Sequence, residues 1–487
     1  MTTSNGLSTY STQKMRRDVT GGERGDGHRL QQEGRRIRRP DPRRIRIGKP
    51  DPSLTSAAGL VPFGAFLRDI GLDERLRRLF GHLKTGDGVV YPMAAQIRLL
   101  IDSNTLGESR VFGLENLAAD PLFVHLAGGS VPSIDTVYRD LDRFGTLEIE
   151  LLEGLVAEHG LWKKDLAKLE LVHLDIDTTV EVLFGHQEGA LPGPNPRYHG
   201  RPSYHPILAR IAETRTQVGG RLRPGNTSFG DKDAEYVRQL VRRVRNALRP
   251  EQKLRVRIDA AGDCTSVMAA IEDEQATFIT KADLTPDLLG KVFVERNWRT
   301  VACDADGRPT RQVADIPFVR DAWIKAGRNF RVIAVRTREE TSGKQVYLWE
   351  DLDFVVKVYI TNEWNTDADE LAWDYNDRAG IEPDIGELKY GLGIGHVPTD
   401  SFDANHAMLL LKLLTANLVR RFLRERVSEL WAWRVPWLRR ALFRVPGKLV
   451  RRGRSHVLRV PPDSRAPDLA IRSNDAGSDI FRLLAGV

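Results

Sequence analysis

The chain has 487 residues, enough for roughly two to four domains with full cores. Hydrophobic residues make up 41% and charged residues 29%, the balance of a soluble globular protein, and the absence of any run of about 18 apolar residues excludes a membrane span. The only cysteines, Cys264 and Cys303, exclude a disulfide framework and cannot make a zinc site alone; they are expected to be reduced packing thiols.

The net charge of +7 is unevenly spread. Residues 1–50 carry 13 Lys/Arg against 5 Asp/Glu, a balance of +8, and residues 420–460 carry 13 against 2, a balance of +11, so the remainder sums to −12. Basic ends suit a polyanion, whose phosphates release counterions when neutralised. An acidic middle suits a site that gathers cations. The plainer reading of each end is a solvated tail or helix. Membrane-surface binding by the tail lacks an accompanying anchor.

Residues 1–55, with RRIRRPDPRRIRIGKPDP from Arg35 to Pro52, hold too few apolar residues to bury a core and read as a disordered arm. From about Leu60 to Glu170 apolar residues recur at three and four, as in FGAFLRDIGLDERLRRLFGHL, MAAQIRLLIDSNTLG and LEIELLEGLVAEHGLW, which predicts an all-helical module. Ser133 after GGSVP reads as a helix start. KLELVHLDID then alternates at period two, placing His173, Asp175 and Asp177 on one face and Val172, Leu174 and Ile176 on the other. Further strands are expected at TTVEVLF, YHPILARIAETRT, KLRVRIDA (ending at Asp259) and ATFITK, with helices at DKDAEYVRQLVRRVRNAL and DCTSVMAAIEDE. Asp263 is expected to cap the second of these helices. FRVIAVR, KQVYLWE and FVVKVYITN have strand character, and a helical stretch follows. The order strand, strand, strand, helix, strand, helix, strand predicts an α/β protein. Its RNase-H-like mixed sheet is flanked by helices, interrupted by a β-rich insertion and preceded by a helical module.

In such a sheet the strand ends bearing Asp177 and Asp259 share one edge, and a late helix carrying Glu382 can reach the same place. Three carboxylates together are costly unless cations neutralise them. Hard oxygen donors select Mg²⁺ or Mn²⁺, and two such ions can drive an in-line displacement at phosphorus. Each acid also has an ordinary reading: a strand-end aspartate is usually a turn former or helix cap, and Glu382 can simply pair with Arg378 one turn earlier. The stretch YNDRAGIEPDIGELK adds Tyr375, Arg378, Glu382 and Lys389 at helical steps. Pro383 disfavours helical geometry at Glu382, so a kink there, or a new helix with Pro383 in its first turn, is expected.

Tyr375, Arg378, Glu382 and Lys389 complete a Y-(2)-R-(3)-E-(6)-K signature. With it, LDIDTTV, GHQEGA, YHGRPSYHPILA, LRPGN and LTSAAGLVPF make the chain, from about residue 50 to about 425, resemble the DDE transposases of bacterial insertion sequences, in the insertion-sequence thirteen-eighty group. The resemblance implies Asp177, Asp259 and Glu382 as the catalytic, metal-holding triad, with Asp175 a weaker claimant to the first place. It implies Tyr375, Arg378 and Lys389 as DNA contacts, a pair of Mg²⁺ (or Mn²⁺) ions, and double-stranded DNA as partner, both terminal inverted repeats and target. It further implies a homodimer in the synaptic complex, with no membrane association, in the bacterial cytoplasm at the nucleoid. Its domains would be a basic arm (1–55), a helical DNA-binding domain (56–167), a catalytic core in two parts (168–281 and 363–425) split by the insertion (282–362), and a basic C-terminal region (426–487).

In relatives with the signature a flipped base stacks on a tryptophan of the insertion, for which Trp298, Trp323 and Trp349 are the candidates here. The second aspartate departs from the family's small, glycine-rich context, standing in IDAAGD. His186, His199 and His205 lack a cysteine cluster and are expected in loop packing or on the DNA backbone; Arg221 and Arg223 of RLRPGN are read as DNA contacts or as a solvated turn. The alternatives to a transposase are an RNase-H-like nuclease without strand transfer and an inactive transposase-derived DNA-binding protein.

Overall fold

The computed structural model describes residues 41–193, 199–338, 354–462 and 464. The chain divides into two compact units, residues 1–52 and 53–487. In the first, residues 41–52 are described and hold a single 3₁₀ turn, Pro42–Arg44, opened by Asp41, whose carboxylate accepts from the Arg43 amide at 3.0 Å. Residues 1–40 of the expected disordered arm lie outside the described residues.

The second unit opens with helices α1 (Leu60–Asp69), α2 (Leu72–Phe80), α3 (Met93–Leu106), α4 (Ile134–Leu141) and α5 (Thr146–Gly160), where the three-and-four periodicity places them. Ser133 caps α4, its Oγ accepting from the Thr136 amide at 3.3 Å. Gly71, at φ 74°, makes the turn between α1 and α2 that a side chain would strain.

The sheet is then built from β1 (Leu171–Thr178), β2 (Ile207–Ile211), β3 (Thr216–Arg221), helix α6 (Ala234–Arg245), β4 (Lys253–Ile258), α7 (Thr265–Asp273) and β5 (Thr277–Lys281). After α8 (Pro286–Val294) come β6 (Arg299–Cys303), β7 (Pro309–Ile316), β8 (Arg331–Arg338) and β9 (Phe354–Thr361). Helices α9 (Ala368–Asp377), α10 (Ile381–Glu387) and the long α11 (Phe402–Arg426) follow. One nine-stranded sheet results, in the order β6-β7-β8-β9-β5-β4-β1-β2-β3. In it β1, β4 and β5 are parallel and β2 and β3 antiparallel, which is the expected RNase-H-like mixed sheet. The strands of the insertion do not form a separate body: β9 pairs antiparallel with β5, and β8, β7 and β6 extend the same sheet. The KQVYLWE stretch, with Trp349, lies outside the described residues.

Two strand expectations shift. TTVEVLF gives its first residue, Thr178, to the end of β1 and otherwise only Glu181–Val182, in a separate three-stranded sheet. YHPILARIAETRT holds β2 and a hairpin turn leading to β3, a turn hard to see because Arg215 takes φ 54° where a glycine is usual. β3 itself reads as loop because of its two glycines, yet each is needed. A Cβ on Gly219 would lie 2.5 Å from Leu240 of α6, and one on Gly220 2.5 Å from Leu413 of α11.

The sheet's two faces differ. Val172, Leu174 and Ile176 of β1, with Leu254, Val256 and Ile258 of β4, pack on Val237, Leu240 and Val241 of α6 and Val267 and Met268 of α7. The opposite face carries the polar residues of the alternation and is covered by α9 and α10. Elsewhere α1–α5, α11 and the segment after it share one apolar cluster, in which Phe63 of α1 meets Phe422 and Phe443 edge-on at 5.4 Å.

Candidate active site

β1 and β4 run parallel with Asp175 beside Arg257 as the last paired residues. Two residues further on, Asp177 and Asp259 stand at the same end of these neighbouring strands, near enough for the charge of one to act on the other. Asp259 also does what a strand-end aspartate ordinarily does: it opens the turn Ala260–Gly262 and accepts from the Ala261 amide at 3.1 Å. Asp177 accepts from the Thr178 amide at 2.9 Å and from Arg378 at 3.0 Å. Burial pushes the Asp177 carboxyl up to about 6; Arg378 pulls it down, and neighbouring Asp259 pushes it up again.

The Tyr-Arg-Glu-Lys segment is not one helix. α9 ends at Asp377, a 3₁₀ turn covers Arg378–Gly380, α10 begins at Ile381 with Pro383 in its first turn, and a π turn spans Leu388–Leu392. The break turns the four side chains apart. Both Tyr375 and Arg378 are buried; Arg378 meets Asp177, and the charges of Asp259 and Asp177 act on the Tyr375 phenol. The Tyr375 hydroxyl is buried without a hydrogen-bond partner, its ring lies 5.0 Å from that of Tyr359, and burial raises its phenol pKa. Glu382 is exposed and makes no hydrogen bond or ion pair among the described residues. The acid that α10 turns inward is Asp384, bound to Arg210 and Arg215. Lys389 pairs with Glu181 at 3.2 Å and donates to the Val180 carbonyl at 3.0 Å. Among the described residues no three His, Cys, Asp or Glu side chains come together as a metal site. Asp177 and Asp259 fit as two oxygen donors for a divalent ion; Glu382, facing solvent, does not join them in this conformation.

Asp175, the weaker claimant, is fully buried and held by Arg257 at 2.6 Å and Arg210 at 3.1 Å, so it anchors the fold. Asp263 does not cap α7; its carboxylate holds Arg320 and the Asp283 amide, tying the insertion to the sheet. Trp323 is fully buried against Phe330, and Trp298 is half-buried under Arg336, 4.4 Å from its ring. His205 bonds the Thr227 carbonyl at 2.8 Å. Arg223 is buried on Asp233 at 2.7 Å, and Arg221 stacks on Tyr236, 3.8 Å from its ring, so neither sits in a solvated turn.

The family model for Transposase DDE domain group 1 matches residues 40–470. The chain belongs to the DDE transposases. It is therefore a polynucleotidyl transferase with endonuclease activity. No curated protein matches its sequence. Among solved structures the transposase is similar to one described as a "piggyBac transposase synaptic complex with hairpin DNA", at 10% identity, over 88% of this chain and 82% of that one, with a TM-score of 0.41. No helix among the transposase's described residues is long and apolar enough to cross a membrane.

Sequence reasoning missed a buried lysine. Lys412 of α11 is fully buried and donates to the carbonyls of Gly393 at 2.6 Å and His396 at 2.8 Å. Burial pushes its pKa down to about 7, against the pull of Glu181. It fixes the loop leaving the Tyr-Arg-Glu-Lys segment. A single lysine inside AMLLLKLLTANLV was the available signal.

Proposed function

We propose that this transposase cleaves double-stranded DNA at the inverted repeats of a bacterial insertion sequence and joins the freed ends to a target, in a divalent-metal-dependent cut-and-paste reaction. What supports this reading is that Asp177 and Asp259 lie at the ends of adjacent parallel strands, close enough for Asp259 to raise the Asp177 pKa, with Arg378 on Asp177. Asp177 and Asp259 would hold Mg²⁺ or Mn²⁺, since hard oxygen donors select these ions and a cation relieves the repulsion within the pair. When bound, such ions supply activation of a water or 3′-hydroxyl and stabilisation of the leaving oxygen.

The chain's own groups do the rest. Arg378 neutralises Asp177 and presents a planar fork suited to a phosphate beside the cleaved bond. Tyr375 offers a buried, unpaired hydroxyl at the same spot. Lys389, held by Glu181 in the free protein, would turn its ammonium to the DNA backbone. Glu382 is the third acid in this reading, and it reaches the aspartates by rearrangement of the broken helix from Arg378 to Leu392. Two ends must be brought together, which calls for a homodimer on DNA.

The test is an end-cleavage assay with Mg²⁺ on DNA carrying the element's own repeats. Asp177→Ala and Asp259→Ala are each expected to lose cleavage to background while keeping repeat binding; full cleavage by either rejects its assignment. Nicking without joining by the wild type would make it a nuclease, and binding without nicking an inactive descendant.

A further inference from the structure

The basic C-terminal region is sorted by the fold into arginines already used and arginines left over. Arg439 donates to the carbonyls of Thr105 at 3.0 Å and Gly391 at 2.7 Å, and Arg444 to that of Leu106 at 2.6 Å, so both fasten the C-terminal segment onto α3. Arg421 pairs with Glu425 at 2.7 Å, and Arg424 pairs with Asp165. Much of the remaining charge lies on a β-hairpin, Gly447–Arg452 paired with Ser455–Arg459, whose first strand is pinned to Leu54–Thr55.

Cross-strand pairing fixes which face each residue occupies. Leu449, Leu458, Arg451 and His456 share one face. That face lies on the body: the His456 ring is 4.3 Å from that of His125, and Leu458 lies 3.0 Å from the Cβ position of Gly447, which itself backs on Ala58. Arg452 and Arg459 belong to the other face, and Arg454 stands at the tip beside Gly453 (φ 63°). All three are exposed, and none forms an ion pair among the described residues. Arg452 and Arg454 stand at the tip and Arg459 at the far end of the same face, opposite Lys448, so exposed guanidinium groups span the length of a two-stranded ribbon, an element of a size that fits a duplex groove with its cations meeting phosphates. No large apolar side chain is exposed on the hairpin, so it has nothing to insert into a lipid surface.

We propose that the Gly447–Arg459 hairpin is a duplex-DNA contact, binding phosphates through Arg452, Arg454 and Arg459. This deepens the transposase reading and rests on it, because that reading supplies the DNA. It makes the hairpin a second anchor, apart from the Asp177–Asp259 centre.

The experiment measures binding of the full-length chain to a labelled duplex carrying the element's ends across a salt series. It compares wild type with R452Q/R454Q/R459Q and with R452K/R454K/R459K, and the melting temperature of each is recorded. The glutamine variant is expected to bind more weakly, its plot of log affinity against log salt flatter by about 2–3, since each neutralised phosphate contributes about 0.9. The lysine variant is expected to restore the slope. An unchanged slope and affinity in a folded glutamine variant overturns the hairpin assignment while leaving the transposase reading standing. A wild type that binds no DNA overturns both. Loss of binding to phosphatidylserine vesicles with DNA binding intact assigns the face to lipid and also overturns it.

Discussion

The two faces of the central sheet come from the same strands and obey different physics. On the face toward α6 and α7, Val172, Leu174 and Ile176 are fully buried among aliphatic neighbours. On the face toward α9 and α10 the alternating residues His173 and Asp175 join Arg210, Arg255, Arg257 and Asp374 in a buried ionic layer, and Asp177 at its end meets Arg378. The first face holds the fold together. The second adds little net stability, since buried ion pairs roughly repay their own desolvation, but it fixes where α9 sits and so where Tyr375 and Arg378 point. At the strand ends the layer stops being balanced. Asp175 has two arginines, whereas Asp177 and Asp259 are two acids facing one, Arg378. Surplus negative charge at the open end of an otherwise neutralised layer marks the site.

Cutting the layer is expected to have the largest effect on stability. Asp175→Ala removes the acid shared by two buried arginines, leaving Arg210 to Asp384 and Arg257 to Asp374, a loss of about 3–5 kcal/mol. One residue away on the other face, Leu174→Ala leaves a cavity and is expected to cost about 2–5 kcal/mol. Denaturant titration compares them. The contrast lies in repair: a neutral, volume-matched replacement of Asp175 and both arginines together should recover stability, whereas no polar substitution rescues Leu174. If Asp175→Ala is nearly neutral, the ionic layer does not position α9 as argued.

His173 provides a pH handle on the same layer. Burial disfavours its charge, but Asp374 at 2.9 Å and Glu213 at 2.6 Å hold its pKa up at about 9. Burial likewise pushes the Asp374 carboxyl up, yet His173 and Arg255 hold it at about 2. A histidine raised in the folded state contributes stability that is fully present below its unfolded value of about 6.5 and is lost as pH rises through about 9, on the order of 3 kcal/mol here. Wild type should therefore lose stability between about pH 6.5 and pH 9 relative to His173→Gln. A pH-independent difference between the two would place a neutral imidazole in the layer.

Much of this comparison was legible in the sequence because period-two alternation survives folding. The polar and apolar residues of KLELVHLDID and KLRVRIDA sort onto the faces that their spacing assigns, and the parallel pairing brings the strand ends that carry Asp177 and Asp259 side by side. The β2–β3 hairpin was hidden because Arg215 supplies a positive φ without glycine, and because Gly219 and Gly220 serve close helix packing, which no local pattern announces. The roles of Asp263 and Asp384 depend on arginines 57 and 169 residues away in sequence, so they could not be read locally. The direction of Glu382 was beyond helical arithmetic too, because the backbone passes from α through 3₁₀ to α and π within one signature.

Glu382 is expected to show the smallest stability effect and sharpens the comparison most. It belongs to neither face: it is exposed and has no ion pair or hydrogen bond among the described residues, so Glu382→Ala should change unfolding free energy by no more than about 0.5 kcal/mol. Asp384→Ala, two residues on, takes one carboxylate from both Arg210 and Arg215, leaving them Asp175 and Glu387, and should cost several times more. Activity is expected to rank otherwise. An acid recruited from solvent to complete a metal site is dispensable for folding and indispensable for cleavage, so Glu382→Ala should abolish end cleavage with repeat binding intact. Should Glu382→Ala cleave at the wild-type rate, the third acid must be sought elsewhere, and the inward-facing Asp384 becomes the residue to examine for release from its arginines on DNA.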